Sequence, residues 1–159
     1  MRALGLLLIL VSCAGEQEET IPLDAVPAAV MSAVRARFPN ASVTGAAREH
    51  EDGKTLYEVS LQDGTQKIDV TATGEGQLVA IEGGLAASDL PAAVAQALAA
   101  KYPGSAYRII EDVTTTEGGA ERLAYYEVLL ETPDKTFVEV QIASDGKILK
   151  EEKKAGVDP

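Results

Sequence analysis

Few side chains in this sequence are equipped for chemistry. His50 is the single imidazole, and it directly precedes Glu51-Asp52-Gly53, a run that reads as a hairpin tip. A general base needs a nucleophile and an orienting partner within hydrogen-bond reach. No Gly-x-Ser-x-Gly or comparable nucleophile motif accompanies His50, so it reads as an exposed turn residue. The carboxylates are the other candidates, because paired acids hydrolyse glycosides and ligate calcium. Glu51, Asp52, Asp63, Asp134 and Asp145 fall where hairpin turns are expected, and none belongs to an Asp-x-Asp-x-Asp-Gly series. Glu58 and Glu127, like Asp69 and Glu139, take outward strand positions and read as solvated. Gly83-Gly84 and Gly118-Gly119 lack the Lys-Ser/Thr that a phosphate-cradling loop requires. No catalytic residue, metal site or cofactor is expected.

Cys13 is the only cysteine, so no intrachain disulfide can form, and with a single histidine the common structural zinc sets are out of reach. Upstream of it, Arg2 leads an apolar run from Ala3 to Val11. That run is far shorter than the roughly 20 residues of a membrane-spanning helix, and it reads as the core of a signal peptide. It ends in Leu10-Val11-Ser12-Cys13, which resembles the lipobox cleaved before a cysteine that carries lipid. The expectation is a signal peptide over 1–12, lipid on Cys13, and an acidic tether over 13–20 containing Glu16-Gln17-Glu18-Glu19. Such a tether reaches at most about 25 Å, which keeps the folded part close to the membrane. Ala14 stands where an inner-membrane retention Asp is often found in enteric bacteria, so the outer membrane is favoured. A net charge of −11 argues against a nucleic-acid partner, whose phosphates are met by clustered Lys and Arg.

Stepping along the chain, an internal repeat sets the architecture. Val26-Pro-Ala-Ala-Val30 matches Leu90-Pro-Ala-Ala-Val94 at an offset of 64, and seven of the fourteen positions from 26 to 39 equal their partners. Tyr57-Glu-Val59 pairs with Tyr126-Glu-Val128, and Ile68-Asp-Val70 with Val138-Glu-Val140, at offsets of 69 and 70. The growth places an insertion in the second copy, in the hairpin from Thr115 to Glu121. Val30, Val34 and Phe38, and then Val94, Leu98 and Tyr102, recur every four residues and predict one helix per copy. Pro27 and Pro91 suit a first turn, with Asp24 and Ser88 or Asp89 as caps, and Pro39 and Pro103 end the helices. Period-two alternation through Tyr57–Leu61 and Ile68–Ala72 predicts strands. The expected fold is α+β, with two tandem units, each one helix packed on a four-stranded antiparallel sheet. The units span 21–82 and 88–152, with a linker at 83–87 and a polar tail at 153–159.

The aromatic-Pro helix ends (Phe38-Pro39, Tyr102-Pro103), the Tyr-Glu-Val strands and the closing Ser144-Asp-Gly-Lys-Ile148 together resemble the PepSY-like family. That resemblance covers about Leu23 to Glu152 and implies a fold related to β-lactamase inhibitory protein. The Trp often found near the final strand of such proteins is absent.

The two copies differ on their outward faces. The first is polar apart from Leu56, whereas the second places Tyr125, Leu129 and Phe137 outward. An exposed apolar group of this kind needs cover, from the first copy, from a second chain or from a partner. The favoured expectation is a non-enzymatic envelope module that binds a protein or peptide through these three residues, with enzyme inhibition as one version. The alternative is a structural or regulatory lipoprotein whose two sheets pack on each other; an enzyme using surface acids ranks third.

Overall fold

Ala28–Arg37 forms helix α1 and Ala92–Lys101 helix α2, and each buries two aliphatic residues four apart, Val30 with Val34 and Val94 with Leu98. Burying a side chain of this size contributes about 1.5–3 kcal/mol. The computed structural model describes residues 17–51, 53–117 and 119–154; the expected signal peptide and Cys13 lie outside the described residues. Pro27 and Pro91 cap the helices in extended conformation, with their carbonyls accepting from Met31 and Ala95. The expected side-chain caps are not made: Asp24 and Asp89 sit in short 3-10 turns, Leu23–Ala25 and Ala87–Asp89. Phe38 and Tyr102 leave helical geometry just before their prolines, whose rings disfavour the α conformation there.

The described residues form nine strands: β1 (Gln17–Thr20), β2 (Ser42–Glu51), β3 (Lys54–Asp63), β4 (Gln66–Thr73), β5 (Leu78–Gly84), β6 (Ala106–Glu117), β7 (Ala120–Glu131), β8 (Phe137–Ile142) and β9 (Ile148–Lys154). They form one antiparallel sheet in simple sequence order. This corrects the expectation of two separate units with a helix on a four-stranded sheet. β5 pairs with β6 over Ala80↔Thr115 to Gly84↔Glu111, so the two halves join edge to edge. The stacking of two sheets on each other is overturned with it. The physical reason is the edges: two separate sheets would each leave unpaired N–H and C=O groups at the break, and pairing β5 with β6 satisfies both rows. Gly83 and Gly84, read as linker, end β5, and the ladder continues through Leu85 N–H to Ile110 O at 2.8 Å.

Gln17–Thr20, read as tether, is instead the first strand of the sheet, β1. Its pairing repeats that of β5 on β6 at an offset of 64: Gln17↔His50 matches Ile81↔Thr114, and Glu18↔Glu49 matches Glu82↔Val113. The following bond repeats as well, Ile21 N–H to Ala46 O at 3.0 Å. β1 therefore fills in the first half the place that β5 fills in the second. The β6 and β7 strands have twelve residues each against ten for β2 and β3, where the insertion lies.

Both helices pack on the same side of the sheet. One core gathers Val30 and Val34 with Val59, Leu61, Ile68 and Val70; the other gathers Val94 and Leu98 with Val128, Leu130, Val140 and Ile142. Arg37 at the end of α1 forms a bidentate pair with Glu121 of β7, at 2.8 and 3.0 Å, tying the first half to the second.

The turns after β4 and β8 seat against the helix starts. Gly76 (φ +84°) and Gly146 (φ +87°) have positive dihedrals, and a Cβ there would lie 2.6 Å from Ala29 O and 2.7 Å from Ala93 O. Backbone conformation and space both demand glycine. Gly76→Ala and Gly146→Ala are each expected to lower unfolding stability by about 2 kcal/mol, measured by urea denaturation; loss of less than a few tenths would contradict the packing described.

Candidate functional site

The face away from the helices carries at least one carboxylate from every strand. In register, Glu18 stands opposite Glu49, Asp69 opposite Glu82, Glu111 opposite Glu127, and Glu139 opposite Glu152. Glu58 of β3 completes the row, two residues from Leu56, which pairs with Glu49. Like charges directly opposite each other destabilise a sheet, so four such pairs need compensation or protonation. At one end, compensation is visible. Lys154 Nζ lies 3.1 Å from Glu139 and 3.3 Å from Glu152, and Gln141 donates to Glu127 at 3.1 Å. Burial alone would lower the Lys154 ammonium, but its two carboxylate contacts hold it above its usual range.

Toward the centre, protonation takes over. Burial, reinforced by Asp69, Glu49, Glu82 and Glu18, pushes Glu58 up to about 9. Burial and the charges of Glu111, Glu127, Asp69 and Glu49 push Glu82 to about 8. Glu111 rises to about 7 through burial and Asp69, Glu127 and Glu139, with Lys67 opposing. Glu127 and Glu18 are also raised, chiefly by burial. Of these acids, Glu58 and Glu127 were read from sequence as solvated, each by itself. Their outward parity was legible; the β5–β6 pairing that lines up the two halves was not.

Apolar side chains share this face. Val113 is 2% exposed between Glu82 and Tyr125, and Leu129 is 4% exposed between Ile109 and Glu139. Phe137 is half-buried and pairs with Glu131 and Lys154. It lies diagonal to Leu129, within reach of a large side chain. Tyr125 is half-buried and separated from Leu129 by Glu127. The three residues singled out from sequence thus share one face, but only Leu129 and Phe137 are brought together, and Leu129 is mostly covered. His50 is exposed on β2, with its Nδ1 3.1 Å from Thr55 Oγ1. Among the described residues, no group of three or more His, Cys, Asp or Glu is arranged to hold a metal ion.

The raised acids give stability a definite pH sign. An acid with a raised folded-state pKa keeps its proton in the folded chain where the unfolded chain, near 4.5, has lost it. Stability is then greatest below 4.5 as far as these groups are concerned, and is lost as pH rises through the folded values of about 7, 8 and 9. The thermal midpoint is expected to fall between pH 6 and pH 9.5, and Glu58→Gln with Glu82→Gln to flatten that fall, at about 3 °C per kcal/mol relieved. A flat or rising wild-type profile in calorimetry would exclude the protonated row.

Comparison with known proteins agrees with this architecture. The family model described as beta-lactamase-inhibitor-like, PepSY-like matches residues 14–80 and 55–150. Three solved structures share the fold. A protein of Bacteroides eggerthii described as periplasmic is 16% identical, with 80% of this chain and 88% of that one covered and a TM-score of 0.66. A BLIP-like protein of Bacteroides fragilis is 18% identical over 79% and 84%, with a TM-score of 0.59. A DUF2874 family protein of Bacteroides uniformis is 20% identical over 80% and 88%, with a TM-score of 0.63. None of the curated proteins matches the chain. Two overlapping matches that together run from residue 14 to residue 150 identify this chain as a member of the PepSY-like family.

Proposed function

We propose that the chain is a non-enzymatic binding module of the bacterial envelope, held to a membrane by lipid on Cys13, whose open sheet face takes a protein or peptide. The observation that carries this reading is the composition of that face. Both helices pack on the other side of the sheet, yet among its acids this face carries the half-buried Tyr125 and Phe137 beside the buried Leu56, Val113 and Leu129. A solvated sheet face is ordinarily polar throughout. The acidic row favours a partner segment bearing Lys or Arg, since complementary charge guides encounter and register. Inhibition of an enzyme is one form such binding can take, and the fold shared with a protein described as BLIP-like supports it. The periplasmic description of another protein of this fold supports the envelope; the lipobox-like Leu10-Val11-Ser12-Cys13 supports the anchor, and Ala14 the outer membrane.

Catalysis is disfavoured by how the acids are held. They lie along an open face, with no nucleophile motif nearby, and the cleft lined by Arg37, Phe38, Asp112 and Glu121 opens on the helix side and holds none of the row.

Cys13→Ser is expected to move the protein from the membrane to the soluble fraction on cell fractionation; undiminished retention would remove the lipid anchor. A photo-cross-linking residue at Phe137 is expected to trap an envelope protein in intact cells, and one at Gln96 on α2 to trap none. Equal products from both positions, or none from Phe137, would defeat the open-face assignment.

A further inference from the structure

We infer that the chain stands on the membrane on the end of its sheet that carries the β2–β3 and β6–β7 hairpin tips, with the strands running away from the bilayer. The inference rests on the reading of Cys13 as the lipid anchor and adds the orientation that the anchor imposes. Between Cys13 and the first residue of β1 lie only Ala14, Gly15 and Glu16. Four residue steps reach at most about 14 Å. β1 is not free to slide: four register pairs, the Glu19–Arg48 ion pair and the Ile21–Ala46 hydrogen bond hold it on β2, in the register that β5 keeps on β6.

The place where this leash enters the sheet decides which end it holds. Gln17 pairs with His50, one residue from the end of β2. The strands alternate in direction, so the β6–β7 tip and the turns after β4 and β8 lie at the same end, with both helix starts against Gly76 and Gly146. The opposite end, at the β3–β4 turn, is a full ten-residue strand away, about 33 Å. A leash of about 14 Å cannot let the sheet stand on that end, because the start of β1 would then lie a strand length above the lipid.

The anchored end itself is built for proximity without strong attraction. Lys54, Arg122 and Lys147 stand there beside Glu18, Glu75, Glu121 and Asp145, all exposed. Two of the three exposed large hydrophobics among the described residues, Leu123 and Leu149, lie near its turns. The open face, parallel to the strands, is then presented sideways, to a partner at the membrane surface rather than to one beneath it.

The test uses the full-length lipidated protein in phosphatidylcholine–phosphatidylglycerol vesicles that contain headgroup-spin-labelled lipid. A fluorophore is placed on Lys54→Cys or on Thr65→Cys, both exposed positions at opposite ends of the sheet. With the two labels about 30 Å apart along the strands, quenching at position 54 is expected to exceed that at 65 roughly tenfold. Insertion of about fifteen Gly/Ser residues between Glu16 and Gln17 is expected to bring the two close to equality, since a flexible linker of that length reaches some 20 Å on average. Equal quenching in the chain of native length, stronger quenching at 65, or a difference that survives the insertion would overturn the orientation. Flotation reports separately on the anchor: protein that fails to rise with the vesicles refutes the lipid on Cys13, and the orientation with it.

Discussion

Five residue pairs between β5 and β6 join two copies of one unit into a single sheet, and the arrangement of both faces follows from that join. On one side it sets α1 and α2 over two separate cores on the same side of the sheet, with Arg37 of α1 reaching Glu121 of β7. On the other it makes one surface out of two, so that acids from different halves stand near each other. Without the join each half would keep an exposed edge, a liability for any sheet.

The repeat explains why the sheet has nine strands rather than eight. Each helix-and-strands unit leaves the outer side of its first strand, β2 or β6, unpaired, and the segment that precedes the helix fills it. In the second half that segment is β5, which belongs to the first half; in the first half β1 takes the place in the same register. Gln17–Thr20 is thereby part of the sheet rather than a lead-in to it.

The acid row shows how a fold can hold groups in tension. Glu82 and Glu111 gain nothing from each other as charges, and their burial penalises ionisation further. The sheet tolerates them because backbone pairing and the cores on the far side dominate its stability, while protonation at the centre and Lys154 at the β8–β9 edge relieve the repulsion. Tyr125 and Phe137 lie within this field, half-buried, so apolar groups and acids share one surface.

Local pattern determined a good deal by itself. The aliphatic residues four apart and the Pro pairs delimited both helices, the period of two marked β3 and β4, and the glycines named the turns. The parity of Glu58, Asp69, Glu127 and Glu139 was equally legible, as was that of Tyr125, Leu129 and Phe137. These are short-range properties, set by dihedral preference and by which side of an element a residue occupies. Tertiary structure alone decided that Gly83-Gly84 continues a strand, that Gln17–Thr20 is one, that the halves meet at their edges, and that outward acids become half-buried neighbours with raised pKa values. Strand pairing is a contact between distant residues, and side-chain burial depends on what that pairing brings alongside; neither leaves a period in the sequence to be read.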